Sequence, residues 1–248
     1  MQKYLKLILF YLIAISSFQS SSETFTSHCR DYLPDLFFDG STCVGPVPEL
    51  VSDIVSELGH NIKWLKVPWI RTIEDAKHGN VDLLIRHSMT QERKIFLLPI
   101  PYGYYTRTLS FYKSPMFKSE ISSYKDLEVV NVGAIRGNFY SPRFSTLNSN
   151  ELIFVGKNKQ LLRMLEKGRI DVVVTSESHS IMLFNDRFEK VTFEDTFDNP
   201  LYVSIPKNSK ASKFYKDIAN LTLEYRKNGK IDQYFERHGL PVPEQIYE

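Results

Sequence analysis

The sequence predicts an α/β protein of two lobes, each a mostly parallel sheet flanked by helices, with two hinge strands that join the lobes. One observation is a short unit that occurs twice, at 77–85 and 166–174, in which a helix ends at a glycine and a buried strand follows. Each strand contains a β-branched residue, an aspartate (Asp82 or Asp171) and three apolar residues. A second observation is the alternation of strands and helices along the chain, which is typical of parallel sheets with right-handed crossovers.

In the first half of the chain the predicted elements follow one another closely. Residues 48–58 are predicted as a helix because apolar side chains recur on one helical face, between a proline at the start and Gly59 at the end. A strand at 61–67, a short helix at 70–78 and a buried strand at 81–85 come next. The last strand is apolar on both faces apart from Asp82, which is typical of a strand inside a parallel sheet.

The second half has the same order of elements. A strand is predicted at 129–133, a helix that ends at Gly168 at 158–167, and a buried strand at 170–175. Residues 106–112 and 200–205 alternate like strands and are predicted to join the lobes. Residues 211–238 are largely helical and are expected to return to the first lobe. These predictions place lobe 1 at 23–108 and 203–248, and lobe 2 at 109–202.

Residues 1–22 have the order of parts of a secretory signal peptide. Lys3 and Lys6 precede an uncharged, apolar run of about 12 residues, which small residues follow. The apolar run is too short to cross a bilayer comfortably. We therefore expect a cleaved signal peptide and a periplasmic mature protein; an uncleaved N-terminal anchor is the alternative.

Charge and cysteine content restrict the function further. Lys3 and Lys6 account for two of the 31 basic residues, so the remaining 29 match the 29 acidic residues. A neutral chain has no electrostatic preference for nucleic acid. Cys29 and Cys43 are the only cysteines, and in an exported protein they are better explained by a disulfide than by a metal site. Two free buried thiols are the alternative, and the histidines have no metal-ligand spacing.

Several short motifs lie in a defined order over more than 200 residues. In chain order they are Gly45 with Glu49-Leu50, Val67-Pro68-Trp69, Gly79-Asn80-Val81-Asp82, Ser88-Met89-Thr90-Gln91-Glu92-Arg93, Pro101-Tyr102, Val132-Gly133 with Gly137, Gly168-Arg169-Ile170-Asp171, and Asn228-Gly229-Lys230-Ile231-Asp232-Gln233-Tyr234-Phe235. Their order resembles that of type II periplasmic solute-binding proteins of the polar amino-acid ABC transporter group (extracellular solute-binding protein family 3). The resemblance implies a monomer without a cofactor. Its lobes close around a small molecule, and a membrane permease or receptor binds the closed form.

The resemblance also implies ligand-binding residues in the first lobe. Arg93 matches the arginine that binds a ligand carboxylate, which a planar guanidinium can do through two hydrogen bonds. Ser88 matches a hydroxyl that meets the same carboxylate, and Trp69 matches an aromatic wall of the site. The alternatives are an exposed helix arginine capped by Thr90, a hydroxyl bonded to local backbone, and a core tryptophan.

In the second lobe the resemblance implies one site and shows one departure. Gly137 and Asn138 match a turn whose backbone N–H groups could bind an anion, although an ordinary turn is equally consistent with the pattern. Amino-acid-binding relatives have an aspartate for the ligand's ammonium group where this chain has Ser176. Either the neighbouring Glu177 replaces that carboxylate after a small shift, or the ligand is not an α-amino acid.

A second departure is Arg86-His87 ahead of Ser88, where relatives have small or apolar residues. With Arg93, Arg86 would make the site strongly cationic, which indicates a dicarboxylate, a keto acid or another anion. The alternative is an Arg86 that is paired with a carboxylate such as Glu92.

Three functions are consistent with this sequence. A non-catalytic binding protein for an ABC transporter is favoured, and a sensor without a transport role has the same features. A dehydratase-like enzyme on the same fold would need a general acid in the cleft, for which Glu177 and Glu49 are the candidates. Asp82 and Asp171 occupy equivalent structural units, so we expect both to have a structural role and not to act as an acid–base pair.

Overall fold

The protein structure is a computed structural model that describes residues 22–148, 152–176 and 181–245. Residues 1–21 of the predicted signal peptide, Glu177 and His179 lie outside the described residues. None of the described helices has the length and apolar character that a membrane crossing requires.

The described residues form a mixed α/β structure, as predicted. The strands are β1 Thr24–Cys29, β2 Phe37–Phe38, β3 Cys43–Val44, β4 Asn61–Lys66, β5 Leu84–His87, β6 Leu97–Lys113, β7 Val132–Ile135, β8 Leu152–Val155, β9 Val172–Thr175 and β10 Glu189–Pro206. The α-helices are α1 Pro46–Glu57, α2 Trp69–Lys77, α3 Gln91–Phe96, α4 Tyr124–Leu127, α5 Asn158–Glu166, α6 Met182–Asn185, α7 Tyr215–Lys227 and α8 Lys230–Arg237. Short 3₁₀ helices cover Phe144–Thr146 and Lys210–Phe214.

The predicted helices are confirmed to within two residues, but two of the predicted strands begin three residues too early. The strand predicted at 81–85 begins at Leu84, and the strand predicted at 129–133 begins at Val132. In the first case the backbone N–H groups of Asp82 and Leu83 both donate to the carbonyl of Thr26, at 2.8 and 3.2 Å. Because both N–H groups share one acceptor, the regular hydrogen-bond ladder of a strand does not begin here. The apolar sequence pattern of a strand nevertheless begins at Val81.

Two long strands run through both halves of the fold. β6 has 17 residues and β10 has 18, and they pair antiparallel from the Leu97–Pro206 end to the Lys113–Glu189 end. β5 pairs with β10 at one end, and β9 pairs with β6 at the other. The segments predicted to join the lobes, 106–112 and 200–205, lie inside these two strands.

On either side of the two long strands the pairing is parallel. β1 pairs parallel with β4 and makes one parallel bridge to the segment before β5, between Ser27 and Leu83. β7 pairs parallel with both β8 and β9. Buried apolar side chains form one large cluster around β1, α1, α7 and α8, and two others around β7, β9 and α5. The lobe boundaries at 108/109 and 202/203 stay a prediction.

The aspartates of the repeated unit have the same structural role in both copies. The Asp82 carboxylate accepts a hydrogen bond from the backbone N–H of Thr26 at 2.8 Å, and the Asp171 carboxylate accepts one from Asn131 at 2.8 Å. In return, the N–H of each aspartate donates to the carbonyl of the same partner, at 2.8 and 2.9 Å. The pair of bonds fixes each unit to the strand beside it, so the repeated structural role is confirmed.

A disulfide joins Cys29, the last residue of β1, to Cys43, the first residue of β3, with 5.6 Å between their Cα atoms. The alternative of two free thiols is therefore wrong for this structure. The bond holds the end of β1 against the chain that leads into α1. Arg30, the next residue after the bridge, enters the cavity described below.

Replacing both cysteines, in the variant Cys29→Ala/Cys43→Ala, should lower the free energy of unfolding by up to about 3 kcal/mol, because the unfolded chain regains the freedom of a loop of about 15 residues. Urea denaturation of the mature protein measures this change. The wild-type protein under reducing conditions is the matched control and should have the same midpoint as the variant. Equal midpoints for the variant and the oxidised wild type would contradict the prediction.

Candidate functional site

A cavity of about 450 Å³ lies where the two halves of the fold face each other. It is lined by Arg30, Tyr32, Trp69, Arg86, His87, Ser88, Arg93, Arg107, Ile135, Asn138, Phe139, Gly156, Lys157 and Asn158. Arg30 follows β1, Ser88 follows β5, Ile135 ends β7 and Gly156 follows β8. The cavity therefore lies at the carboxyl ends of the strands, which is where α/β sheets bind ligands.

Arg93 connects the two sides of this cavity. Its side chain is buried, with Nη1 donating to the carbonyl of Ser88 at 2.6 Å and Nη2 donating to the carbonyl of Gly137 at 3.1 Å. The Thr90 side chain also accepts a hydrogen bond from the Arg93 N–H at 3.2 Å and caps α3. The alternative of an exposed helix arginine is wrong, although the predicted cap is present. Ser88 is buried in the lining and contacts Arg93 through its carbonyl.

Three guanidinium groups and two aromatic rings alternate along one wall of the cavity. The Arg86 guanidinium lies 4.7 Å from the ring centre of Tyr32, and Arg30 lies 5.2 Å from the same ring. Arg30 is also 4.4 Å from the ring centre of Trp69, from which Arg93 is 5.1 Å away. We call the series Arg86–Tyr32–Arg30–Trp69–Arg93 the arginine–aromatic ladder. Electron-rich ring faces between the cations offset part of their mutual repulsion.

Backbone carbonyls hold the middle arginine of the ladder. Arg30 donates from Nη1 to the carbonyl of Ile85 at 3.2 Å and from Nη2 to the carbonyl of Arg86. Arg86 has φ of 53°, the only non-glycine residue with positive φ in the described part of the chain. A bulky residue in this left-handed region is uncommon and costs free energy. The two hydrogen bonds from Arg30 stabilise this backbone conformation at the end of β5.

The Arg86 side chain is paired, but not with the residue expected from the sequence. Its Nε donates to the carboxylate of Asp35, and both residues are buried. Glu92 instead forms an ion pair with Lys77 at 3.1 Å. Arg86 therefore lines the cavity, as its place at the end of β5 indicated, and is neutralised there by Asp35.

Burial changes the pKa values of the arginines that line the cavity. It lowers the pKa of Arg30 to about 10, with the charge of Arg86 adding to the shift, and it lowers the pKa of Arg93 to about 10. Burial also lowers the pKa of Arg107. Nearby tyrosines and Asp35 raise the pKa of Arg86 despite its burial. All four groups stay charged at neutral pH.

The cavity is strongly positive. Four arginines and Lys157 line it, while the lining contains no carboxylate among the described residues. The carboxylate of Asp35, which lines an adjoining cavity, pairs with Arg86. The N-terminus of α5, at Lys157 and Asn158, also borders the cavity, and its dipole adds to the positive potential. A concave site with one sign of charge attracts ligands of the opposite sign.

Ser176, the residue in place of the relatives' aspartate, has an arginine as its neighbour. Arg107 of β6 donates from Nη2 to the Ser176 hydroxyl at 2.7 Å. Ser176 is buried and lines a second cavity of about 600 Å³, which shares Tyr32, Arg86 and Arg107 with the first. The role predicted for Glu177 falls outside the described residues.

The turn at Gly137 and Asn138 is present, but it contacts the cavity differently from the expectation. Gly137 has φ of 80°, and its carbonyl accepts the hydrogen bond from Arg93. The N–H of Asn138 donates to the carbonyl of Ile135 at 3.3 Å, so the turn itself uses that group. Asn138 lines the cavity, and the anion contact predicted for the N–H groups of Gly137 and Asn138 stays a prediction.

Sequence reasoning missed several lining residues, among them Arg30, Tyr32, Arg107 and Lys157. Arg30 directly follows a disulfide cysteine, and Arg107 lies in a strand that was predicted to join the lobes, but neither position has a distinguishing local pattern. Lys157 belongs to a short basic cluster of the kind found on solvated surfaces. It is exposed and still borders the cavity.

The described residues support neither a metal site nor Glu49 as a general acid in the cavity. No group of three or more His, Cys, Asp or Glu side chains that could hold a metal ion occurs in the described ranges. Glu49, a candidate general acid, is hydrogen-bonded to His238 at 2.7 Å, pairs with Arg237 at 3.6 Å and does not line the cavity.

His87 is held neutral in the floor of the cavity. Its Nδ1 lies 3.0 Å from the carbonyl of Ser88, which can only accept, so Nδ1 carries the proton and Nε2 accepts from the Ser204 hydroxyl at 3.0 Å. Burial, followed by the charge of Arg93, lowers the pKa of His87 to about 3. Protonation of this side chain would therefore oppose folding.

We expect His87 to make the protein acid-sensitive. Because its folded pKa lies below the unfolded value of about 6.5, the unfolded chain takes up the proton first. The free energy of unfolding should thus fall by up to about 1.4 kcal/mol per pH unit as pH decreases from about 6.5 toward about 3. Denaturant unfolding of wild type and His87→Gln at matched pH values measures this. A difference between the two proteins that is independent of pH would contradict the prediction.

Asp35→Asn should lower the free energy of unfolding by about 3–5 kcal/mol, because the buried charge of Arg86 loses its partner. Urea denaturation measures the change, and the double variant Asp35→Asn/Arg86→Gln is the matched control. The double variant should lose less stability than Asp35→Asn alone, since it leaves no buried unpaired charge. If the double variant loses as much, the pair does not account for the effect.

No protein-family model matches the chain, and no curated protein sequence matches it. Solved structures match over most of its length. A histidine kinase sensor domain with similarity to periplasmic binding proteins has a TM-score of 0.68 at 17% identity, with 91% of this chain and 98% of that chain covered. The amino acid ABC transporter substrate-binding protein AbpA from Streptococcus pneumoniae, bound to L-arginine, has a TM-score of 0.62 at 22% identity, with 88% and 95% covered.

A third similar structure is the ancestral amino acid-binding protein AncCDT-1, a precursor of cyclohexadienyl dehydratase. Its TM-score is 0.60 at 21% identity, with 87% of this chain and 94% of that chain covered. These similarities show that the chain has the two-lobed fold of periplasmic binding proteins, which confirms the predicted fold class. At such identities they show the fold alone.

Proposed function

We propose that this chain is an exported solute-binding protein that captures a small carboxylate-bearing molecule between its lobes and delivers it to an ABC transporter in the membrane. The observation that carries the proposal is the cavity of about 450 Å³ at the carboxyl ends of strands from both halves, lined by four arginines and a lysine. Residues that face each other across this cavity can bind one ligand together. The similarity in fold to a substrate-binding protein of an amino acid ABC transporter supports the same function.

Arg93 is the residue that we assign to the ligand carboxylate. Its guanidinium already joins the carbonyls of Ser88 and Gly137 across the cavity, so it is positioned by groups on both sides. A carboxylate that enters the cavity offers two charged acceptors in place of neutral carbonyls, and hydrogen bonds to charged acceptors are stronger. The ligand contact and the contact between the lobes thus involve the same side chain.

The proposed function includes closure of the cavity around the ligand, and the two long strands are the elements that could act as its hinge. β6 and β10 pass through both halves and carry Arg107 at the edge of the cavity. Changes of backbone angle within these strands would open and close the cavity as a hinge. A ligand that contacts both sides favours the closed form, and a membrane partner then binds that form.

A sensor role without transport is the second candidate function. The similarity to a histidine kinase sensor domain supports it, and closure around a ligand would be the signal in that case as well. The proposal contains no catalytic step, because the described lining has neither a carboxylic acid nor a nucleophile paired with a base. Retention of a bound ligand unchanged, checked by mass spectrometry after incubation, would exclude the dehydratase-like alternative.

The proposal predicts that a ligand stabilises the mature protein through Arg93. At 100 times its dissociation constant a ligand adds about 2.7 kcal/mol to the free energy of unfolding. For a protein of this size that is a rise of roughly 5–11 °C in Tm. Thermal unfolding with amino acids, keto acids and dicarboxylates measures the rise.

Arg93→Ala should abolish that rise, while the control Arg163→Ala, which removes an exposed arginine of α5, should retain it. A full rise in Arg93→Ala would contradict the assignment of this residue. The absence of a rise with every compound in both wild type and control would contradict the proposed function.

A further inference from the structure

We propose that Arg30 occupies, as part of the chain itself, the aromatic site that Tyr32 and Trp69 would otherwise offer to a cationic group of a ligand. Arg30 is thereby the residue that determines specificity against ligands with a positively charged side chain. The inference rests on the proposed function, because it concerns the ligand class of the same cavity. It goes beyond that function, since the carboxylate assigned to Arg93 says nothing about the rest of the ligand.

The position of the Arg30 guanidinium carries the inference. Its Cζ atom lies 4.4 Å from the ring centre of Trp69 and 5.2 Å from the ring centre of Tyr32. At both distances a cation is attracted to the face of an aromatic ring. All three side chains line the cavity. The two rings therefore form a site for a cation, and the cation at this site belongs to the protein.

Hydrogen bonds hold Arg30 at the rings. Its Nη1 donates to the carbonyl of Ile85 at 3.2 Å, and its Nη2 donates to the carbonyl of Arg86. A ligand cation that displaced Arg30 would break both bonds and remove support from the left-handed backbone of Arg86. In exchange, the rings would offer the ligand only the attraction that Arg30 loses. Displacement of Arg30 by a ligand cation is therefore unfavourable.

The other guanidinium groups of the arginine–aromatic ladder act in the same direction. Arg86 lies 4.7 Å from the ring centre of Tyr32, and Arg93 lies 5.1 Å from the ring centre of Trp69. Each ring thus has two guanidinium groups of the protein within reach of its electrons. Burial, with the charges of Arg86 and Arg93 adding to it, lowers the pKa of Arg30 to about 10. A further cation beside either ring would meet the same repulsion.

Two carboxylates act on the ladder from outside the cavity. Asp35 lines the adjoining cavity and pairs with Arg86. Glu92 raises the pKa of Arg93, but by less than burial lowers it, and is itself paired with Lys77. Neither carboxylate lines the cavity that contains the rings. The ligand class that fits these contacts is a carboxylate whose remaining part is neutral or negatively charged.

Calorimetric titration of the mature protein tests this with pairs of ligands that differ in charge and little in shape. L-Arginine has a guanidinium group where L-citrulline has a neutral ureido group. 4-Guanidinobutanoate and 4-ureidobutanoate differ in the same way and lack an α-ammonium group. In each pair that binds, we expect the wild type to bind the neutral member about tenfold or more tightly than the cationic member. A cationic member that binds as tightly as its neutral partner overturns the inference.

Arg30→Ala tests the assigned residue, because it opens the space between the rings. The affinity for the cationic member, relative to the neutral one, should rise by about tenfold or more. Arg30→Lys retains the charge and should keep the wild-type preference. The double variant Arg30→Ala/Trp69→Leu lacks one ring and should lose the gain.

Arg237→Ala is the matched control. It also removes a guanidinium beside an aromatic ring, that of Tyr234 at 4.7 Å, but Arg237 does not line the cavity. The control should keep the wild-type ratio of affinities. If Arg30→Ala weakens both members of a pair equally, Arg30 has only a structural role and the inference is overturned.

Two further outcomes complete the test. If Arg30→Ala does not fold, Arg30→Gln replaces it, because the Gln amide can still donate to a carbonyl at the end of β5. The ratio should then shift toward the cationic member by about threefold or more, and an unchanged ratio overturns the inference. If no pair binds to any of these proteins, the inference is overturned. The proposed function still stands if a member of the thermal-unfolding panel raises Tm through Arg93.

Discussion

The site depends on one constraint, which is that several like-charged guanidinium groups lie close together in a poorly solvated wall. Arg30 is central to it, because its side chain bonds the carbonyls of Ile85 and Arg86 and lies between the rings of Tyr32 and Trp69. These contacts join the end of β1 to the end of β5. They also stabilise the left-handed backbone of Arg86, whose side chain pairs with Asp35. The disulfide fixes Cys29, the last residue of β1, and Arg30 is the next residue, so the covalent bond holds the chain directly before the charge cluster.

How much could be predicted from the sequence depends on how local each feature is. Helices α1, α2 and α5 were predicted closely because their apolar spacing and terminal glycines are local signals, and the two aspartate units could be recognised because they are copies. Arg30 and Arg107 could not be predicted, since their place in the site depends on which strands become neighbours. The parallel bridge between Ser27 and Leu83 brings the end of β1 to the cavity, and no local pattern encodes that contact.

Some residues had two competing interpretations, and the structure combines them. Arg93 is both the first-turn residue that Thr90 caps and a buried side chain in the cavity. Arg86 is both a lining residue and the partner of a carboxylate. Such combinations arise because a long cationic side chain contributes its backbone to one element and its charged end to another place. The identity of the partner is the part that the sequence did not predict, because Asp35 is far from Arg86 along the chain.

A shared fold therefore does not determine what this cavity binds. The hinge formed by β6 and β10 and the strand ends around the cavity are general features of the fold, and they suit any ligand that contacts both sides. Specificity comes from the few side chains that the strand ends present, and here those side chains are cationic. A ligand drives closure only through the difference in its affinity for the open and closed forms. Arg93 also donates to the Gly137 carbonyl, so the side chain that we assign to the ligand carboxylate makes a contact across the cavity as well. An anion between the arginines then has two effects: it relieves their repulsion and it competes for the donors of Arg93. Its charge and shape decide which effect is larger. Under the proposed function, a ligand that closes the cavity must therefore supply enough negative charge to replace the contact that it displaces.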